Sequence, residues 1–139
     1  VVAKDRGIGV TESANERSAD YHSLIRLTLT GGDNERCVAG TLFGDSHPRL
    51  VSLDGIAIEV EVSSDMLYVT NEDLPGFIGK LGTALGEADV NIATFHLGRE
   101  SEGGEALALV SVDQPVPESV LESIRALPLV KQARAIRLA

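Results

Sequence analysis

Apolar residues recur at every second position through much of the first sixty residues, whereas helical spacing is concentrated in the second half. Ile25, Leu27 and Leu29 alternate with Arg26, Thr28 and Thr30, the period of a half-buried strand. Gly31-Gly32-Asp33-Asn34 follows as a turn, and Arg36 to Phe43 reads as the returning strand. Arg49 to Leu53 and Ile56 to Val62 flank Asp54-Gly55, a dipeptide suited to tight type I′ hairpins, where both central residues take positive φ. In the second arm Ile56, Ile58, Val60 and Val62 point one way, and Ala57, Glu59 and Glu61 point the other. A short strand is also expected over Ile8 to Glu12, and a polar loop over Thr11 to Asp20. Residues 1–63 are therefore expected to form an antiparallel, β-rich domain of four or five strands with little helix. Its second face must be covered from elsewhere in a longer chain, by a short terminal helix, or by a partner.

The pattern changes from residue 64 onward. Strands over Met66 to Thr70, Asn91 to Arg99, Ala106 to Val112 and Lys131 to Leu138 are interrupted by helices over Pro75 to Ala88 and Pro117 to Ala126. Glu100 to Glu105 turns the chain between the middle strands. Pro117 and Glu118 open the second helix as an N-terminal proline and acid should, and Val120, Leu121, Ile124 and Leu127 form its apolar stripe. This β-α-β-β-α-β order over residues 64–139 is the ferredoxin-like plan, two helices on one face of a four-stranded antiparallel sheet. The whole chain is thus α+β. That plan serves many functions, so the site must supply the rest.

The corner Asn71-Glu72-Asp73-Leu74-Pro75-Gly76 is where chemistry concentrates. Pro75 fits the first turn of the helix, Asp73 can cap its free amides, and those amides with the helix dipole make a ready anion site. Phe77, Ile78, Leu81 and Leu85 make an apolar stripe. The helix also carries Gly76, Gly79, Gly82 and Gly86, although an interior glycine costs about 1 kcal/mol relative to alanine. Their spacing keeps them near one face, which predicts close approach of the sheet below, a partner subunit or a ligand.

The string Asn-x-Asp-x-Pro-Gly-x-Ile-Gly, then Gly-x-x-Leu-Gly, Asn-Ile-Ala and Leu97-Gly98-Arg99 resembles the ACT domain, a small amino-acid-sensing module. Its wording is most similar to the ACT domain of D-3-phosphoglycerate dehydrogenases. The start of the chain, with Lys-x-Arg-Gly-Ile, Val38 to Gly44 and Pro48-Arg49 before Asp54-Gly55, looks like the allosteric substrate-binding domain of the long bacterial members of that family. The resemblance implies a regulatory region in which L-serine binds between paired ACT domains. It carries the ligand role onto Asn71, Asp73, Pro75, Gly76 and Asn91, and an anionic, phosphorylated effector onto Lys4, Arg6 and Arg49. Asp73 would accept from the serine ammonium, and the helix amides and Asn91 would donate to its carboxylate. NAD would belong to the catalytic part of a parent enzyme and not to these residues. The regulatory part of an iron-sulphur L-serine dehydratase, and an association module that senses nothing, are the alternatives.

Composition narrows the classes without choosing among these. A net charge of −9 disfavours a nucleic-acid surface. Cys37 is the single cysteine, so an intrachain disulfide and a cysteine-based zinc site are excluded. No apolar run approaches the roughly 20 residues of a membrane span, and a cytoplasmic setting is expected. His22, His47 and His96 are scattered, Gly79-Lys80 lacks the glycine and hydroxyl spacing of a phosphate loop, and no metal or catalytic constellation is expected. The chain starts without methionine and is expected to be part of a longer protein.

Overall fold

The structure is a computed structural model that describes residues 2–13, 21–44 and 46–138. A short helix α1 (Val2–Asp5) precedes four strands, β1 (Ile25–Gly31), β2 (Asn34–Phe43), β3 (His47–Leu53) and β4 (Ile56–Glu61), paired antiparallel in the order β1-β2-β3-β4. Asp54 and Gly55 take φ of 48° and 83°, as the tight β3–β4 turn requires. The expected strand over Ile8 to Glu12 is absent: those residues have no regular structure and, among the described residues, no strand pairs with them. Most of the expected loop over Thr11 to Asp20 lies outside the described residues.

The second half folds as β5 (Asp65–Glu72), α2 (Phe77–Glu87), β6 (Ile92–Arg99), β7 (Glu105–Val112), α3 (Glu118–Arg125) and β8 (Val130–Arg137). The strands pair antiparallel in the order β6-β7-β5-β8, which is the ferredoxin-like arrangement. β5 is central and buried on both faces. Leu67 and Val69 enter the core beneath the helices with Phe77, Leu81, Leu85, Ala108, Val110, Leu121 and Ile124. Met66 and Tyr68 point the other way and join Leu107 and Leu109 of β7 against Ile58 and Val60 of β4.

The outer face of the second sheet therefore supplies the cover that part of the first sheet needs. Leu50, Leu53, Ile56 and Val62 pack at the margin of this inter-sheet core. Farther out the cover ends: Ile25, Leu27 and Leu29 of β1 are 71%, 64% and 60% exposed. The contact is closest at Gly98 of β6, where a Cβ would lie 2.8 Å from the Ala57 carbonyl oxygen and 2.8 Å from Ile56 Cγ2. Beside it Arg36 of β2 bonds Asp54 through Nε at 2.9 Å and the Tyr68 hydroxyl through Nη2 at 3.0 Å, with its guanidinium 5.5 Å from the Tyr68 ring centre.

α2 differs from expectation in three ways. It starts at Phe77, after Pro75 and Gly76, and its N-cap Gly76 has φ 95° and offers no side-chain cap. Ile78 is 53% exposed, outside the buried stripe of Phe77, Leu81 and Leu85. Nothing lies within 4 Å of a Cβ placed on Gly79, Gly82 or Gly86, so the sheet below is not their reason. Among the described residues, no neighbouring element closes on these glycines.

Candidate functional site

The corner between β5 and α2 is a cleft of about 380 Å³ lined by Asn71, Asp73, Pro75, Gly76, Leu97 and Arg99, with Glu102 at its rim. The alternation of β5 explains Asn71. It follows Leu67 and Val69 on the helix-facing side of the strand, and so it is drawn into the core at 1% exposure. Its Nδ2 donates to the Glu72 carbonyl at 2.7 Å, and its Oδ1 is buried without a partner. An unpaired buried acceptor costs about 1–3 kcal/mol, which a ligand that donates to it would recover.

Asp73 does not cap α2, because Leu74, Pro75 and Gly76 stand between it and the first helical residue. Its carboxylate turns toward the β6–β7 hairpin. Arg99 Nη1 and the Gly103 amide both donate to Oδ2, at 2.8 and 3.3 Å, and the Asp73 amide donates to the Gly104 carbonyl at 3.0 Å. The Arg99 guanidinium, and after it the Gly103 amide, hold the Asp73 carboxyl below its ordinary pKa. The positive φ of Gly76, which a side chain would strain, lets the chain turn so that the first amides of α2 open on the same cleft. Those amides are the anion-attracting end of the helix.

Asn71, Asp73, Pro75 and Gly76 are thus brought together, whereas Asn91 is not. It stands before β6, at the opposite end of that strand from Arg99, about 25 Å away at strand spacing. There its Nδ2 donates to Asp113 Oδ2 at 2.6 Å. The residue that sequence reasoning left without a role is Arg99. It was legible only as the end of Leu97-Gly98-Arg99, because its partner Asp73 is 26 positions away and meets it only when the sheet closes.

Lys4, Arg6 and Arg49, the three cations expected to hold an anion, line no common pocket among those described. Lys4 is in α1 and Arg6 follows it. Arg49 and His47 are in strand β3, where they pair with Thr41 and Phe43 of β2. Arg49 reaches Glu61 at 3.5 Å through Nη2, and its Nε is buried without a partner. It borders an apolar groove of about 350 Å³ with Ile25, Leu27, Val38 and Leu50, which neither Lys4 nor Arg6 lines.

Among the described residues no group of three or more His, Cys, Asp or Glu is placed to hold a metal ion, and no helix is long and apolar enough to cross a membrane.

Comparison with known proteins agrees with this geometry on both halves. Residues 1–54 match the D-3-phosphoglycerate dehydrogenase intervening domain, and residues 66–129 match the ACT domain. The chain is 33% identical over 138 residues to a D-3-phosphoglycerate dehydrogenase of Synechocystis sp., covering 99% of this chain and 25% of that protein. It is 30% identical over 137 residues to that of Bacillus subtilis, covering 99% of this chain and 26% of the relative. With that of Archaeoglobus fulgidus it shares 33% identity over 139 residues, again 99% and 26%. The chain thus spans about a quarter of the length of these relatives. Two family matches in tandem, and relatives that align across both, make this chain an intervening domain followed by an ACT domain, of the D-3-phosphoglycerate dehydrogenase family.

Proposed function

We propose that this chain is the regulatory part of a cytoplasmic, NAD-dependent D-3-phosphoglycerate dehydrogenase, and that its ACT domain senses L-serine at the β5–α2 corner. The observation that carries the reading is Asn71, a buried amide whose acceptor oxygen has no partner and borders a cleft beside a helix N-terminus. A serine zwitterion matches that cleft: a hydroxyl for the Asn71 acceptor, an ammonium for Asp73 and a carboxylate for donors. Pro75 and Gly76 shape the turn that leaves those donors open.

Asn91 enters this reading through a second copy. The second sheet has two edges, β6 and β8. β8 carries Lys131, Arg134 and Arg137, charges of the kind that discourage edge pairing, while β6 carries Thr94, His96 and Gly98 before its final arginine. Two-fold antiparallel pairing along β6 brings the start of one strand beside the end of the other. Asn91 of the partner subunit would then stand near the Asp73 corner and complete the site. Serine bound across such a pair favours one subunit arrangement, and only a difference in affinity between arrangements regulates anything. In the first domain Lys4, Arg6 and Arg49 are the residues proposed to take an anionic, phosphorylated effector.

Calorimetric titration of the chain with L-serine, beside D-serine and glycine, tests this, together with sedimentation at each ligand concentration. Stereoselective heat that is lost in Asp73→Ala is expected, with tighter self-association on serine. A folded dimer that takes up no L-serine at millimolar concentration would refute sensing and leave the ACT pair as an assembly device.

A further inference from the structure

We propose that Arg99 is the specificity-determining residue of this corner, the group that takes the carboxylate of an incoming α-amino acid; this rests on the amino-acid reading of the cleft. Asp73 and Arg99 are held together by one oxygen and one nitrogen only. Both Arg99 Nη1 and the Gly103 amide meet Oδ2, so Asp73 Oδ1 is left as a free acceptor. Arg99 makes no other side-chain hydrogen bond among the described residues and is 53% exposed at the cleft wall, so Nε and Nη2 remain as free donors. A carboxylate and a guanidinium joined at one corner, each with a vacant side, form a template for the reversed pair of charges on a zwitterion. The ammonium meets Asp73 Oδ1 while the carboxylate meets the remaining guanidinium N–H groups, and the Asp73–Arg99 bond need not break. Guanidinium is suited to this, because its planar fork engages a carboxylate while keeping a second acceptor.

The arrangement also explains how an acidic protein, with Glu102 at the same rim, accepts a carboxylate at all. Among the described residues Arg99 is the only cation lining the cleft, and Asp73 holds it in place. The third contact comes from Asn71, which lines the same cleft and whose buried Oδ1 has no partner. Three contacts of different chemistry select a small α-amino acid of one hand with a hydrogen-bond donor on its side chain. Amines without a carboxylate, and acids without an ammonium, would each use only half of the template.

The test compares L-serine with L-serinamide, which keeps the ammonium and hydroxyl but lacks the negative charge. Titrations are run on the unmodified chain, Arg99→Met and Arg99→Lys, with urea unfolding to show that each variant is folded. The unmodified chain is expected to bind L-serine at least about 10-fold tighter than the amide, the share of a charge-assisted hydrogen bond. Arg99→Met should bind the two within about 3-fold, and Arg99→Lys should recover part of the preference. An Arg99→Met chain that keeps the full preference would overturn the assignment and give the carboxylate to the α2 amides alone. An unmodified chain that binds no amino acid would overturn both this assignment and the sensing reading, so the two failures are told apart by which protein shows them.

Discussion

Replacing Gly98 by alanine tests the junction between the two sheets at its tightest point. The added Cβ would stand 2.8 Å from the Ala57 carbonyl oxygen and 2.8 Å from Ile56 Cγ2. Ile56 can turn about χ1, but the carbonyl belongs to the β3–β4 hairpin and can yield only if that hairpin lifts. Restoring ordinary contact at about 3.4 Å requires about 0.6 Å of movement, in an interface where Ile58 and Val60 are packed against Tyr68, Leu107 and Leu109. Overpacking of this kind costs about 1–3 kcal/mol, which at this chain length lowers the melting midpoint by roughly 3–10 °C. The natural control is Gly79→Ala in α2, which meets nothing within 4 Å and gains about 0.5–1 kcal/mol from helix propensity. Urea and thermal unfolding of both variants should move in opposite directions. A Gly98→Ala chain with an unchanged or raised midpoint would show that β6 and the β3–β4 hairpin are not in close contact in solution.

Two further outcomes follow from groups already described. Asn71→Leu removes, at nearly constant volume, a buried acceptor that has no partner together with the Nδ2 bond to the Glu72 carbonyl, so the two effects oppose and the variant should stay within about 1 kcal/mol of the parent in urea, while serine binding disappears; a folded variant that still binds serine would remove Asn71 from the site. Tyr68 is pushed above its ordinary pKa, first by burial, with Asp54 adding and Arg36 opposing. Because the folded value exceeds the unfolded one, its contribution is whole below about pH 10 and is lost as pH rises through the folded value. The urea midpoint should therefore fall at alkaline pH in the parent and fall less in Tyr68→Phe, and an equal fall in both would remove Tyr68 as the cause.

Local chemistry was legible wherever it was decided within a few residues. The Asp54-Gly55 turn and the alternation of Ile56, Ile58 and Val60 follow from two neighbouring strands, and both appear as expected. The burial of Asn71 was also readable, since Leu67 and Val69 place position 71 on the core face. What failed depended on distant segments. Asp73 looked like a helix cap because the residues nearest in sequence are α2, yet its carboxylate is claimed by Arg99 and Gly103, which the hairpin brings across the end of the sheet. The glycines of α2 suggested a close neighbour, and the described residues supply none at Gly79, Gly82 or Gly86. Ile8 to Glu12 had strand-like composition, but a strand exists only where a ladder partner is at hand.

The two-sided burial of β5 and β7 has a thermodynamic meaning. Met66, Tyr68, Leu107 and Leu109 are at most 6% exposed, and the first sheet is what covers them. An ACT unit excised after Val62 would present those four side chains to water on one continuous surface, the condition under which sheets stick to one another. The boundary between the halves is therefore a boundary of sequence but not of cooperativity: sheets that share a wall are expected to melt together.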